Sequence, residues 1–288
     1  MTVFEKDRAG APLRTRTRIA ARKGGAVVRD RAAAVALPAA VGMAVIGAWQ
    51  LYVGTSRISP LTLPGPFAVA KAMRNDAGQL AAGSWVTIQE LAAGSLISMV
   101  LGFAIGAAIH LSPIAEKAMV PWMIVSQMIP LPALAPLFVI WTGFDIRPKL
   151  MLIAVVGFFP IAVNTVDGLR AADPALLDLL KTMRAGAWRR FLIAQLPAAL
   201  PMIFSGLRVA ATFAILGAVF GEWVGSNAGL GYLVLSYNTQ LATADMLGVV
   251  VVLSAIGVAL FALLNVIERL SLPWYHAGRR GAGIGGRS

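Results

Sequence analysis

The chain has 288 residues, 58% hydrophobic and 13% charged, a mean hydropathy of +0.76 and a formal charge of +12. A soluble domain is nearer half apolar and a quarter charged, and here the apolar residues fall in blocks of roughly twenty, the length that crosses a bilayer as helix. That excludes an ordinary soluble domain; the lack of cysteine excludes disulfides and cysteine metal sites, and two histidines, His110 and His276, are too few for a histidine-rich metal or heme site.

The positive charge does not call for nucleic acid. Basic residues gather in the cytoplasmic segments of membrane proteins, against anionic headgroups. The opening stretch, residues 1–31, is a polar, arginine-rich arm that reads as disordered and cytoplasmic. Residues 32–54 form the first expected span, too far from the start for a signal peptide and without a cleavage site. Residues 55–84 hold Pro60, Pro64, Gly65 and Pro66 and read as a loop with short interfacial helices. The second span is expected over about 85–111. The third, about 118–141, contains Pro130, Pro132 and Pro136, which predict a bent or broken helix. The fourth covers about 150–168, and a basic insert follows over about 169–200. The fifth covers about 201–224, a glycine-containing loop with a short helix covers 225–244, and the sixth covers about 245–270. Residues 271–288 form a polar tail. The reading is all-α, with residues 32–270 as one transmembrane domain. No internal repeat is visible, which weakens an inverted-repeat secondary transporter.

Six spans put both termini on one side. Twenty of the 25 Lys and Arg residues fall on that side, and five, Arg57, Lys71, Arg74, Arg147 and Lys149, fall on the other. The asymmetry predicts that the termini and the basic insert are cytoplasmic.

The insert carries the most information. Asp173-Pro174 is a helix start: Asp caps free N–H groups and proline suits the first helical position. Leu176, Leu180 and Met183 follow at helical spacing and form an apolar edge, with Lys181, Arg184, Arg189 and Arg190 around it. Gly186 interrupts the pattern, and Pro197 and Pro201 are expected to end it. Such an amphipathic helix pair either lies on the lipid surface or docks on a partner protein; the physics alone leaves both open.

The spacing of this insert resembles the EAA motif of ABC-importer permeases: Glu-Ala-Ala, three residues, Gly, nine residues, Ile, one residue, Leu-Pro. Aligned on Leu196-Pro197, Asp178 stands at the glutamate, Leu179 and Leu180 at the alanines, Arg184 at the glycine and Ala194 at the isoleucine. Arg184 breaks the pattern where glycine is expected for a sharp turn, and Gly186 is expected to take that turn instead. The runs LPGP at 63–66, IPLPALAPLFVIWTGF from Ile129, FFPIAVNTVDGLRAADP from Phe158, LPAALPMIFSGLRVA from Leu196 and GEWVGSNAGLGYLV from Gly221 are similar to the nitrate/sulfonate/taurine-type permeases. That subgroup includes transporters of riboflavin and thiamine-pyrimidine precursors.

The resemblance implies the type I importer-permease fold in the bacterial inner membrane. It also implies a permease homodimer, a pair of cytoplasmic ABC ATPase subunits and an extracytoplasmic solute-binding protein. The implied coupling residues are Asp173, Pro174, Asp178, Leu180, Lys181, Met183, Arg184, Gly186, Arg189, Arg190 and Pro197. The substrate expected is riboflavin or a pyrimidine-type vitamin precursor, with sulfonate, taurine or nitrate as the alternative.

Outside that loop, Met128, Phe138, Asn164, Phe213, Phe220 and Glu222 are candidates for a translocation path. Glu222 near the end of the fifth span and Glu90 in the first turns of the second are costly at membrane depth and face protein, a cavity or interfacial water. Arg208 is expected to reach the cytoplasmic interface with its long stem. No phosphate-cradling G-x-x-x-x-G-K-[ST] loop, G-x-S-x-G elbow or H-E-x-x-H helix is present. The chain is therefore expected not to be an enzyme and to bind no cofactor or metal, with ATP and Mg held by the partner ATPase. A secondary transporter or channel would want mid-membrane ionisable groups or a polar pore series, in which this chain is poor.

Overall fold

The computed structural model describes residues 36–275, apart from 57 and 60. The basic arm expected over 1–31, and residues 276–288 of the expected tail with His276, lie outside the described residues. The chain separates into two compact units, Met1–Phe67 and Ala68–Ser288. In the first, helix α1 (Ala36–Thr55) is apolar and long enough to cross a membrane. The proline-rich loop after it folds back locally: a Cβ on Gly65 would sit 3.0 Å from the Gln50 side chain.

Helix α2 (Pro66–Asn75) straddles the boundary, and the second unit is all-helical among the described residues. It contains α3 (Ala77–Leu111), α4 (Pro113–Met128), α5 (Leu131–Thr142), α6 (Arg147–Arg170), α7 (Pro174–Thr182), α8 (Ala187–Arg190), α9 (Leu196–Gly225), α10 (Leu230–Thr239) and α11 (Thr243–Ser271). Five helices among the described residues are long and apolar enough to span, six if α4 and α5 count as one broken span.

The third span, expected as a bent or broken helix, is broken into two helices meeting at 103°. The break falls at Ile129–Pro130, both in extended backbone. Proline disfavours helical backbone in the residue before it, so Pro130 stops α4 and Pro132 starts α5. The pair still carries the chain from one end of the unit to the other. Glu116 at the start of α4 is paired with Arg170 at the end of α6 at 2.9 Å. Residues 144–146 after α5 line one cleft with the end of α9.

The core is α6 sandwiched between α3 and α9. Glycines let the backbones approach: a Cβ on Gly94 would clash with Ile153, one on Gly102 with Ile161, and one on Gly106 with Ala162 and Thr165. From α9, Gly206, Gly217 and Gly221 sit as close to Asn164, Ile153 and Lys149. In a bilayer lipid is as apolar as leucine, so association rests on such close packing and on buried polar contacts. Ser98 supplies one, donating to the Ile153 carbonyl at 3.0 Å. A second cluster, around Leu230, Leu233, Tyr237 and Val249, packs α10 against α11.

Candidate functional site: the α7–α8 loop and a buried polar network

The basic insert is two short helices at the end of the unit where α6 stops. Asp173 caps α7, its Oδ1 accepting the Ala175 N–H at 2.9 Å, and Pro174 is the first helical residue. Asp178 and Lys181 form an exposed pair at 2.8 Å. No residue of α7 or α8 is buried. Among the described residues, nothing buries the apolar side chains of Leu179, Met183 and Trp188, which are 56%, 70% and 69% exposed. Arg189 is exposed and Leu180 and Arg190 are half-buried.

The turn between the two helices corrects the expectation for Gly186. Arg184 takes the left-handed conformation, at φ +56°, whereas Gly186 has φ −62°. The N–H of Ala185 donates to the Leu180 carbonyl at 2.9 Å, and the N–H of Arg184 to the Lys181 carbonyl at 2.9 Å. That is a Schellman closure, whose left-handed position favours glycine. The turn thus stays in the register of the motif, with a non-glycine residue in it. Pro197 and Pro201 do not end the second helix either: Ala187–Gly225 is one continuous 39-residue helix. A wide turn at Phe191–Gln195, where the Leu196 N–H bonds back to the Phe191 carbonyl, makes room for the missing donor of Pro197.

At the opposite end lies a buried polar network that the sequence did not assemble. Helix α3 starts at Ala77, so Glu90 lies in its fourth turn rather than the first turns of a span. Glu90 and Glu222 are each 1% exposed and Thr87 is fully buried. The Lys149 ammonium donates to Glu90 Oε1 at 2.6 Å and to Ser226 Oγ at 2.8 Å. Thr87 donates to Glu222 Oε1 at 2.6 Å and accepts the Leu230 N–H at 2.9 Å. Glu222 Oε2 accepts the N–H groups of Gly231 and Tyr232, the latter at 3.3 Å. Glu222, at the end of α9, is thus the N-terminal cap of α10, meeting the free donors and positive end of that helix. Gly229 precedes α10 at φ +109°, and a Cβ there would fall on the Glu222 carboxylate. Beside the network, residues Phe144, Asp145, Ile146, Lys149 and 224–228 line a cleft of about 450 Å³.

At its far end, α10 is tied down by Tyr237, which donates to Asp76 at 2.7 Å. Burial, and the Asp76 carboxylate beside it, push the phenol above the ordinary tyrosine range.

Among the described residues, the path candidates sit in different surroundings. Phe138 is buried in the core with Ala135 and Leu152. Met128 and Phe213 are exposed, and Phe220 packs edge-on against Trp223 at 5.2 Å. Asn164 lines a cavity of about 370 Å³ at the other end of the unit with Ser205, Arg208, Asn265 and Glu268. Arg208 is not simply snorkelling: it is paired with Glu268 on α11 and donates to Asn265 at 3.0 Å. Thr87, Lys149, Ser226 and Glu268 were missed as site residues. Their only signal was being polar residues near the ends of apolar runs.

The chain is 36% identical over 188 residues to the formylaminopyrimidine transport permease protein ThiX of Halalkalibacterium halodurans, spanning 65% of this chain and 75% of that one. It is 29% identical over 232 residues to the putative aliphatic sulfonates transport permease protein SsuC of Bacillus subtilis, spanning 80% and 84%. Among solved structures it shares the fold of the MetNI methionine ABC transporter in an inward-facing conformation, at a TM-score of 0.60 and 18% identity, covering 68% of this chain and 97% of that one. Residues 98–276 match the model of the binding-protein-dependent transport system inner membrane component, and the chain belongs to that family as a permease subunit of an ABC importer.

Proposed function

We propose that this permease forms the membrane path for a small heterocyclic nutrient of the pyrimidine-precursor type, delivered by an extracytoplasmic solute-binding protein. The observation that carries the substrate class is the likeness to the formylaminopyrimidine permease. The α7–α8 loop is the seat of the cytoplasmic ATPase. It is supported by the apolar side chains of Leu179, Met183 and Trp188, which no other described residue covers, on a loop with built-in caps and basic residues around it. Two copies of the permease frame the path, and both termini and the loop face the cytoplasm, in line with the skew of Lys and Arg.

In this mechanism ATP binding closes the ATPase pair, and the loop passes that motion into α6 and α9, which flank it in the chain. The membrane helices then open toward the loaded binding protein, and hydrolysis resets them. ATP must favour one of the two conformations over the other for any of this to follow. The test is uptake into proteoliposomes holding the permease with its genomically adjacent ATPase and binding protein. Labelled formylaminopyrimidine is expected to accumulate with ATP, and an alkanesulfonate or taurine is not. Sulfonate uptake without pyrimidine uptake overturns the substrate class.

A further inference from the structure

The cavity where α9 begins and α11 ends is a polar place between two membrane-length helices. Its main acceptors are spent inside the protein. Arg208 Nη1 donates to the Glu268 carboxylate and to Asn265 Oδ1, and Asn265 Nδ2 donates to the Phe261 carbonyl at 3.0 Å. Donors are left over. A guanidinium has five N–H groups, and among the described residues Arg208 engages only those of Nη1. Its side chain keeps 23% exposure, so the others are not sealed in. Ser205, one turn earlier on α9, adds a hydroxyl to the same wall. Arg269 lines the cavity from the last turn of α11; it is exposed and, among the described residues, in no ion pair. Two guanidinium groups against one carboxylate leave one positive charge over.

We propose that this cavity seats the phosphate of a membrane phospholipid, held between Arg208 of α9 and Arg269 of α11. A phosphodiester carries one negative charge and only accepts hydrogen bonds, which matches the surplus cation and the surplus donors. A guanidinium can meet two of its oxygens at once. Basic pockets between membrane helices take lipid headgroups in this way. At about 370 Å³ the cavity is at the small end of ligand sites, which suits a headgroup. The acyl chains have a surface to follow. Met202, one turn before Ser205, and Val266, one turn before Arg269, are 42% and 52% exposed, on helices apolar enough to span. That apolar flank favours a lipid over free phosphate. Bridged by the phosphate, α9 and α11 are pinned together at the end where α9 joins the α7–α8 loop. The inference rests on the cavity and not on the substrate proposed above.

The experiment is native mass spectrometry of the full-length permease in detergent, with melting temperature as a second readout. Phosphatidylglycerol, a diacylglycerol with the same chains, or inorganic phosphate is added. Phosphatidylglycerol is expected to fill a single tight site per chain and to raise the melting temperature. Diacylglycerol and inorganic phosphate are expected to do neither. Arg269→Gln combined with Ser205→Ala leaves the Arg208–Glu268 pair in place and is expected to weaken the site by about tenfold or more, the loss of a charge-assisted hydrogen bond. Lys117→Gln removes an exposed charge outside the cavity and is expected to leave the site unchanged. Equal binding by wild type and the double variant overturns the proposal. So does an equal loss in Lys117→Gln, which would show only a general attraction of charge. Diacylglycerol bound as tightly as phosphatidylglycerol would reduce the site to an apolar groove. A rise in melting temperature with inorganic phosphate and none with phosphatidylglycerol would give the site to a soluble anion; either result overturns the lipid assignment.

Discussion

Glu222, near the end of α9, accepts the backbone N–H of Gly231 and so holds the first turn of α10 against the core. Replacing it with alanine strands the donors of Gly231, Tyr232 and Thr87 in a buried place. Each donor left without a partner costs about 1–3 kcal/mol. Glu222→Ala is expected to lower the melting temperature of the detergent-solubilised permease sharply, and Glu222→Gln only mildly. Equal melting temperatures for wild type and Glu222→Ala would show that α10 does not depend on this cap.

Gly229 has two independent reasons to be glycine. Its φ of +109° is strained for any side chain, at about 1–3 kcal/mol, and its missing Cβ leaves the space that the Glu222 carboxylate fills. Gly229→Ala is expected to be at least as destabilising as Glu222→Ala. In the double variant the clash is relieved, so the two losses are expected not to add. Additive losses in melting temperature would separate the two residues.

Lys149 is 7% exposed and is the ammonium of the buried network. Lys149→Met removes a buried positive charge and leaves its partners uncompensated, a change worth about 3–5 kcal/mol. Poor folding is expected for Lys149→Met, with recovery in Lys149→Met combined with Glu90→Gln, which removes the carboxylate it pairs with. Yield of monodisperse protein on size exclusion reads both, and failure of the double variant to recover would count against charge balance.

Between α7 and α8, Arg184 sits in the left-handed turn and Gly186 does not. A left-handed L-residue costs roughly 1–2 kcal/mol, which glycine avoids. Arg184→Gly is expected to preserve or tighten coupling. Gly186→Val is expected to be tolerated, since its backbone is extended and a Cβ there meets nothing within 4 Å. The measurement is ATP turnover per solute imported in proteoliposomes. Uncoupling by Gly186→Val would return the turn to that residue.

The exposed edge of Leu179, Met183 and Trp188 gives a direct test of docking. Burying one such side chain contributes about 1.5–3 kcal/mol, a factor of ten or more in affinity. Leu179→Asp is expected to weaken co-purification with the ATPase by at least about tenfold without moving the melting temperature of the permease alone. Unchanged capture of the ATPase would place the partner elsewhere.

Much of this protein was legible in its residues. Runs of apolar residues gave the spans, because only a helix can satisfy its own backbone in lipid. Pro130 announced the break in the third span, and Asp173-Pro174 the start of α7, because capping and the missing N–H of proline act within a few residues. What the sequence left open depended on residues far apart in the chain. Nothing near Glu90 points to Lys149, 59 positions on, and nothing near Thr87 points to Glu222, 135 positions on. The partner of Glu222, the N-terminus of α10, exists only once the loop after α9 folds back. Arg184 and Gly186 show the same limit at short range: composition favours the glycine, but the hydrogen bonds closing α7 fix which residue must turn. Local propensity decided the helices, and only tertiary packing decided which buried charges would meet.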